Sequence, residues 1–392
     1  MADERSVIVV CPQRRDFDAV RAVRLEERFR VGYEGPDLDA VAEFDAAAFL
    51  ERAAALPADG VIATKDRSAL VAALLAERLG VPGPSPQAVV RCQHKPTARA
   101  IQREVAPEAT PRFAAWDGGP PPFAPPFFVK PVAGRLSQGA RRIDDPAELD
   151  DLPAEDAYQL GWAEVAALAG FAREEGRGYV AEELIAGDEV TLEGYVHRRR
   201  AVVVGITDSV KYPGSNSFER FEYPTRLPAE KRAELAGIAT RLAAAIGFDN
   251  GFFNVEFAVP EAGTVWIIEM NARIASQFAP LVRAVHGRST YELLFDVACG
   301  DDPDWDAAAE PDGVAVSYVL RVFDDAFVES VPEPGPDVEI LAVPGRRLSE
   351  QAANDAQSFR LAIIYAAAET RDDAVAAGRR RAQELEFSLR PA

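Results

Sequence analysis

The stretch Phe252-Phe-Asn254-Val-Glu256-Phe-Ala-Val259, Pro260-Glu-Ala-Gly263, Val265-Trp-Ile-Ile-Glu269-Met-Asn271 decides how the rest of this chain is read. Two apolar runs of strand length flank a turn-forming tetrapeptide, which predicts a pair of adjacent antiparallel strands. Side chains alternate across a strand, so Asn254 and Glu256 share one face, and Glu269 and Asn271 share one face of the partner. Closure at 260–263 brings Glu256 within about one residue of facing Glu269. Like charges facing each other destabilise a strand pair. A divalent cation reverses that, and two carboxylates with an amide form an all-oxygen set suited to magnesium sharing its shell with phosphates. A solvated acidic strand face satisfies the same spacing.

Two more segments carry chemistry. Phe127-Phe-Val-Lys130 reads as a buried strand ending in a lysine, followed by Pro-Val-Ala-Gly134-Arg-Leu-Ser137-Gln-Gly139-Ala140. A point charge beside exposed backbone amides suits a polyphosphate, although the spacing is not that of a P-loop and a polar loop without a ligand reads the same way. Glu182-Glu183-Leu184-Ile185, Gly187 and Glu189 place acids on both sides of a turn, at a cleft edge or simply in solvent. Only five of the 43 basic residues are lysines, at 65, 95, 130, 211 and 231, so each lysine is a position of interest.

From residue 1 to about 90 apolar strands alternate with amphipathic helices (7–10, 16–27, 60–63, 68–79), predicting a small parallel α/β domain. It lacks both GxGxxG and GxxxxGK[ST], and Val81-Pro-Gly-Pro-Ser-Pro86 ends it. A helix over 97–104, opened by Pro96, leads to a Pro-rich connector at 118–126. Strands follow at 179–185, 189–197 and 201–207, then a helix at 229–246, an acidic linker at 301–313, and short strands with a terminal helix near 372–385. The predicted fold class is α/β and α+β multidomain.

The 392 residues carry a formal charge of −20, which repels phosphate backbones and anionic lipid, so neither nucleic acid nor a membrane surface is an expected partner. Cys11, Cys92 and Cys299 are far apart, and His94, His197 and His286 lack zinc-site spacing. The acidic amino terminus does not read as a secretory signal, and no apolar run reaches membrane-span length. A soluble cytoplasmic protein is expected.

In order, these pieces resemble the ATP-grasp superfamily, specifically its carboxylate-amine ligases, from about Arg91 to Gly300. The resemblance implies an amino-terminal α/β domain over 1–90, an ATP-grasp domain over 91–300 with a lid at about 107–178, and a small carboxy-terminal α+β domain over 301–392. It implies that Lys95 and Lys130 contact ATP phosphates, that the glycine loop with Ser137 and Gly139 covers them, and that Glu182, Glu183, Leu184 and Ile185 form the adenine hinge with Glu189 on the ribose. Glu256, Glu269 and Asn271 correspond to the magnesium ligands, and Arg273 to the arginine that steadies the reacting groups. Asn271-Ala-Arg273 replaces the common Asn-Pro-Arg, Arg135 and Leu136 are bulkier than the usual small loop residues, and Ile274-Ala-Ser-Gln277 replaces small glycines. Ser276, Gln277 and Lys211, the last on a predicted loop over 208–224, are the expected substrate contacts.

The implied reaction uses ATP and Mg2+ to make an acyl phosphate from a small carboxylic acid, which an amine then captures, releasing ADP and phosphate; a homodimer is the expected assembly. Ligation to another acceptor, such as bicarbonate or a purine-pathway substrate, and nucleotide sensing without turnover are the competing readings.

Overall fold

Val7 to Val10 are buried on every side, as in a central strand of a parallel sheet. In the computed structural model, which describes residues 5–41, 43–116, 118–120, 122–134, 138–153, 157–351 and 358–391, this segment is β1 (Ser6–Val10). It lies between β2 (Arg30–Glu34) and β3 (Gly60–Ile62), both parallel to it. Helices α1 (Arg14–Ala22), α2 (Ala46–Ala53) and α3 (Asp66–Leu79) follow the three strands in turn. The Pro-rich break at 81–86 is real, but Ser85 caps the Ala88 amide and Pro86 opens a new helix, α4 (Pro86–Gln93). Next, α5 (Lys95–Val105) starts two residues before the predicted boundary, with Pro96 in its first turn.

A second, antiparallel sheet has the order β4 (Phe113–Trp116), β7 (Tyr179–Glu183), β5 (Phe127–Pro131), β6 (Arg141–Ile143). Between β6 and β7 the chain forms α6 (Ala157–Leu168), which packs on α3. The strand that joins β4 to β5 therefore begins at Tyr179, just beyond the predicted lid limit of 178.

The largest sheet has eight strands in the order β12-β11-β8-β9-β10-β13-β16-β15. Its members in chain order are β8 (Asp188–His197), β9 (Arg200–Lys211), β10 (Phe218–Tyr223), β11 (Gly251–Val259), β12 (Trp266–Asn271), β13 (Val314–Val322), β15 (Val338–Ile340) and β16 (Phe359–Ala368). Pairing of β10 with β13 carries the sheet across the boundary drawn at 300/301. The strands β14 (Ala326–Ser330) and β17 (Ser388–Pro391) pair separately.

The expected loop over 208–224 is a correction. Residues 208–211 finish β9 and Phe218–Tyr223 form β10, leaving only 212–217 as a turn. Glycine and serines at 214–217 masked the strand pattern that resumes immediately after them.

The helix between the strand groups, α7 (Ala229–Ile246), matches its predicted bounds. Its buried Leu235, Ile238, Ala239, Leu242, Ala243 and Ile246 recur at helical spacing and share a core with Phe253, Val255, Phe257 and Val259 of β11. That apolar odd-numbered face leaves Asn254 and Glu256 on the other side of the strand. Later come α8 (Ala279–His286), α9 (Thr290–Ala298) and α10 (Arg371–Gln383). No helix among the described residues is long and apolar enough to cross a membrane.

Gly187, in the short link from β7 to β8, has φ +140°, and a Cβ there would lie 2.5 Å from the Val259 carbonyl carbon. Gly187→Ala is expected to lower stability by about 1–3 kcal/mol, read as a lower urea midpoint; an unchanged midpoint would contradict this packing.

Candidate active site

Strands β11 and β12 pair with Asn254 opposite Asn271 and Glu256 opposite Glu269. Asn271 Nδ2 donates to Asn254 Oδ1 at 3.0 Å and lies 3.3 Å from Glu256 Oε1 and 3.4 Å from Glu269 Oε1. One amide thus bridges two carboxylates that face each other directly. Burial, then the Glu269 charge, pushes the Glu256 carboxyl up to about 8. Oxygen donors on adjacent strands, mutually repelling until a cation joins them, fit a hard divalent ion such as Mg2+. Among the described residues no group of three His, Cys, Asp or Glu is placed to hold a metal.

A narrow cavity beside this pair is walled by Asp66, Lys95, Gly134, Glu269 and Asn271 among others. Lys95 is brought there by α5, its amide donating to Val132 O at 2.8 Å and its Nζ to Gly134 O at 3.4 Å. Gly134, at the start of the glycine loop, one of the two lysines expected on the phosphates and two of the three expected metal ligands therefore meet. Gly139 has φ +69°, and a Cβ there would lie 2.9 Å from Pro131 Cγ. Ser137 falls outside the described residues.

Lys130 is buried and ion-paired, its Nζ 2.9 Å from Glu182 Oε2. Arg99 approaches the same carboxylate from the other side, at 2.7 Å and 2.9 Å, and also donates to the Ile267 and Ile268 carbonyls of β12 at 2.7 Å and 2.9 Å. Burial alone would raise Glu182; Lys130 and Arg99 outweigh it and take the carboxyl down to about 2. Glu182 is thus committed within the protein, and what the 182–185 segment presents to a base is backbone and Leu184, which is 38% exposed. Glu183 is held by Arg112, with 2.7 Å to its amide and 2.9 Å to Nε. Glu189 pairs with Lys211, so a sugar hydroxyl at Glu189 would share the carboxylate with that lysine.

Arg273 makes a two-pronged pair with Asp66 at the start of α3, 2.7 Å and 3.0 Å, joining the amino-terminal sheet to the edge of the large one. The turn after β12 is fixed from below: Asn254 Nδ2 donates to Arg273 O at 2.9 Å, and the Ala275 amide donates to Glu193 Oε1 at 2.6 Å. Burial pushes Glu193 up to about 8. Ser276 Oγ is 3.4 Å from Arg15 Nη1, and Arg15 pairs with Glu339 at 2.7 Å. Gln277 donates to buried Ser317 at 2.9 Å, which turns it toward the sheet. Beyond Ser276 opens a cavity of about 690 Å³ between α1, α8 and the 334–339 segment, with Arg15, Arg283 and Glu339 beside Ala19, Ala22 and Val23.

Asp66, Arg99 and Glu193 were not singled out from sequence. Arg99 lies four residues after Lys95, hence on the same helical face, and Asp66 follows a strand end in a parallel sheet, so both had a weak signal. Glu193 had none beyond its place on an apolar strand.

Residues 123–280 match the model of the ATP-grasp domain family. The L-amino acid ligase of Bacillus licheniformis has the same fold, with a TM-score of 0.79 at 20% identity over 99% of each chain. The biotin carboxylase of Campylobacter jejuni aligns with a TM-score of 0.69 at 16% identity over 98% of this chain and 92% of its own. The phosphoribosylglycinamide synthetase of Anaerococcus prevotii gives 0.69 at 14% over 99% and 100%. An uncharacterised protein of Sinorhizobium fredii is 24% identical over 81% of this chain, and the match spans 65% of that protein's length. Residues 123–280 thus match the ATP-grasp domain, and the chain as a whole shares the fold of these three enzymes.

The Glu182 carboxyl moves from an ordinary 4.5 to about 2, so its contribution is complete above about pH 4.5 and is lost as pH falls toward 2. The stability gap between the native chain and Glu182→Gln is expected to be on the order of 3 kcal/mol at pH 7 and to close across that window. Urea unfolding from pH 6 to 2 measures it; a gap independent of pH would contradict the triad.

Proposed function

We propose that this chain is an ATP- and Mg2+-dependent ligase that activates a substrate carboxylate as an acyl phosphate and joins it to an amine. The observation that carries this reading is the convergence of Lys95, the Gly134 loop and the facing Glu256, Glu269 and Asn271 beside Arg273, with an organic-sized cavity on the far side. Mg2+ held by the two carboxylates, with the Asn271 amide turned over so that its oxygen and not its Nδ2 faces them, would offset charge on the phosphate tail.

The residues then divide the work. Lys95 and the loop amides would hold the phosphate tail, and the 182–185 link with Leu184 would take the base. Lys130 acts at a remove, because its charge is shared with Glu182. Arg273, aimed by Asp66 and by the Asn254 bond to its carbonyl, would orient the attacking carboxylate and the transferring phosphoryl group. A carboxylate oxygen attacks the γ phosphorus as its bond to the ADP oxygen breaks; the amine nitrogen then attacks the acyl carbon and phosphate leaves. Acyl phosphates hydrolyse in water, which gives the four-stranded sheet over the site a shielding role.

Bicarbonate as the acceptor is disfavoured by the cavity, since about 690 Å³ with an alanine and valine wall far exceeds an anion of four heavy atoms. A purely sensing role is disfavoured by the repelling carboxylate pair, which burdens a fold that needs only to bind nucleotide.

Incubation with ATP, Mg2+, pooled carboxylic acids and hydroxylamine is expected to give ADP and a hydroxamate, and Glu269→Gln to reduce both at least about 100-fold. ADP release with no hydroxamate from any acid would overturn the reading.

A further inference from the structure

The cavity of about 690 Å³ lies where three parts of the chain meet, and several of the polar groups that line it have no partner in the protein. Arg15 of α1 has a side chain only 16% exposed and marks the inner end. Its Nε and Nη2 both reach Oε2 of Glu339 from β15, at 2.9 Å and 2.7 Å, and its Nη1 lies 3.4 Å from Ser276 Oγ. Glu339 Oε1 is thus left as an acceptor that no described residue uses. The Tyr365 hydroxyl, also on the cavity, makes no hydrogen bond among the described residues. Arg283 of α8 is exposed at the rim, and no acid among the described residues pairs with it, whereas Arg14 on the same lining has Asp18 at 3.7 Å.

The remaining walls are apolar. Ala19, Ala22 and Val23 form the α1 side, and Pro280, Pro334 and Pro336 bring backbone without an N–H to offer. The volume falls in the range of roughly 300–1,000 Å³ that encloses drug-sized ligands, so a free amino acid would leave much of it to water. A wholly apolar occupant would strip water from Glu339 Oε1, Tyr365 and Arg283 and give nothing back. A peptide meets both demands. Its side chains lie against the alanines, valine and prolines, an N–H reaches Glu339 Oε1, a C=O accepts from the Tyr365 hydroxyl, and a terminal carboxylate pairs with Arg283. Direction follows from Ser276, which lies three residues after Arg273 in the segment joining β12 to α8 and borders the cavity at the Arg15 end. The amino end belongs there, toward the reacting groups.

We propose that this cavity is a peptide-binding site, and that the amine captured by the acyl phosphate is the amino terminus of a short peptide with apolar side chains whose free carboxylate is received by Arg283. The peptide nitrogen forms the new C–N bond as the acyl C–O bond to phosphate breaks, and the proton lost from nitrogen leaves on the phosphate. This inference rests on the ligase reading of the adjoining site.

Binding to the full chain with ADP and Mg2+ is measured by titration calorimetry, with leucine, trileucine and trileucine amide as probes. Trileucine is expected to bind at least about tenfold more tightly than leucine because it buries more apolar surface, and the amide to lose at least about tenfold because its end carries no charge for Arg283. Arg283→Gln is expected to bring trileucine to the level of its amide. Ala22→Trp, which fills the α1 side, is expected to weaken both peptides about tenfold. Leucine binding as tightly as trileucine, no binding of trileucine, or a preference for the carboxylate that persists in Arg283→Gln would overturn the site. In turnover with the acid that supports ADP release, mass spectrometry is expected to show that acid joined to the amino terminus of trileucine; free leucine as the sole acceptor would overturn the assignment. Absence of ADP release with every acid and amine pair would instead sink the ligase reading, and the calorimetry would still decide whether the cavity takes a peptide.

Discussion

Two glutamates facing each other across β11 and β12 are the constraint from which the rest of the site follows. Their strands are fixed by the opposite face, where Phe253, Val255, Phe257 and Val259 are buried against α7, so neither strand can slip to separate the charges without exposing that apolar row. The repulsion is therefore built in. It is moderated by the Asn271 amide and completed by whatever cation the pair receives, and every other element of the site is placed with respect to those two strands.

Arg99 shows how the placement is done. From α5 it holds two carbonyls of β12, one residue and two residues before Glu269, and simultaneously holds Glu182 of the four-stranded sheet. Lys130 closes the same triad. The distance between the four-stranded sheet and the strands that carry the two glutamates is thus set by a buried, fully paired group rather than by apolar contact alone, an arrangement that fixes geometry more than it adds stability. On the other flank, Arg273 and Asp66 tie in the amino-terminal domain, while Asn254 and Glu193 hold the turn that carries Arg273.

Period-two alternation made the β11 and β12 pairing legible, and the observed register puts Glu256 opposite Glu269 as the spacing anticipated. α7 was legible to the residue because its apolar spacing is uninterrupted. What was hidden follows from the same physics. β10 is short and begins inside a glycine and serine run, so composition outweighed pattern. The pairing of Glu182 with Arg99 joins residues 83 positions apart, which no local signal encodes. Scarcity marked the lysines as positions of interest, but which acid one is paired with, as Lys211 is with Glu189, depends on neighbours that only folding supplies.

The central claim is that the carboxylate pair serves transfer of the γ phosphoryl group to a carboxylate. Oxygen-isotope tracing tests it most directly: the acid that supports ADP release is supplied with both carboxylate oxygens labelled as oxygen-18, and the released phosphate is analysed by mass. Attack of the carboxylate on phosphorus followed by cleavage at the acyl carbon predicts one labelled oxygen in each phosphate formed. Phosphate without label, at full ADP release, would contradict the account.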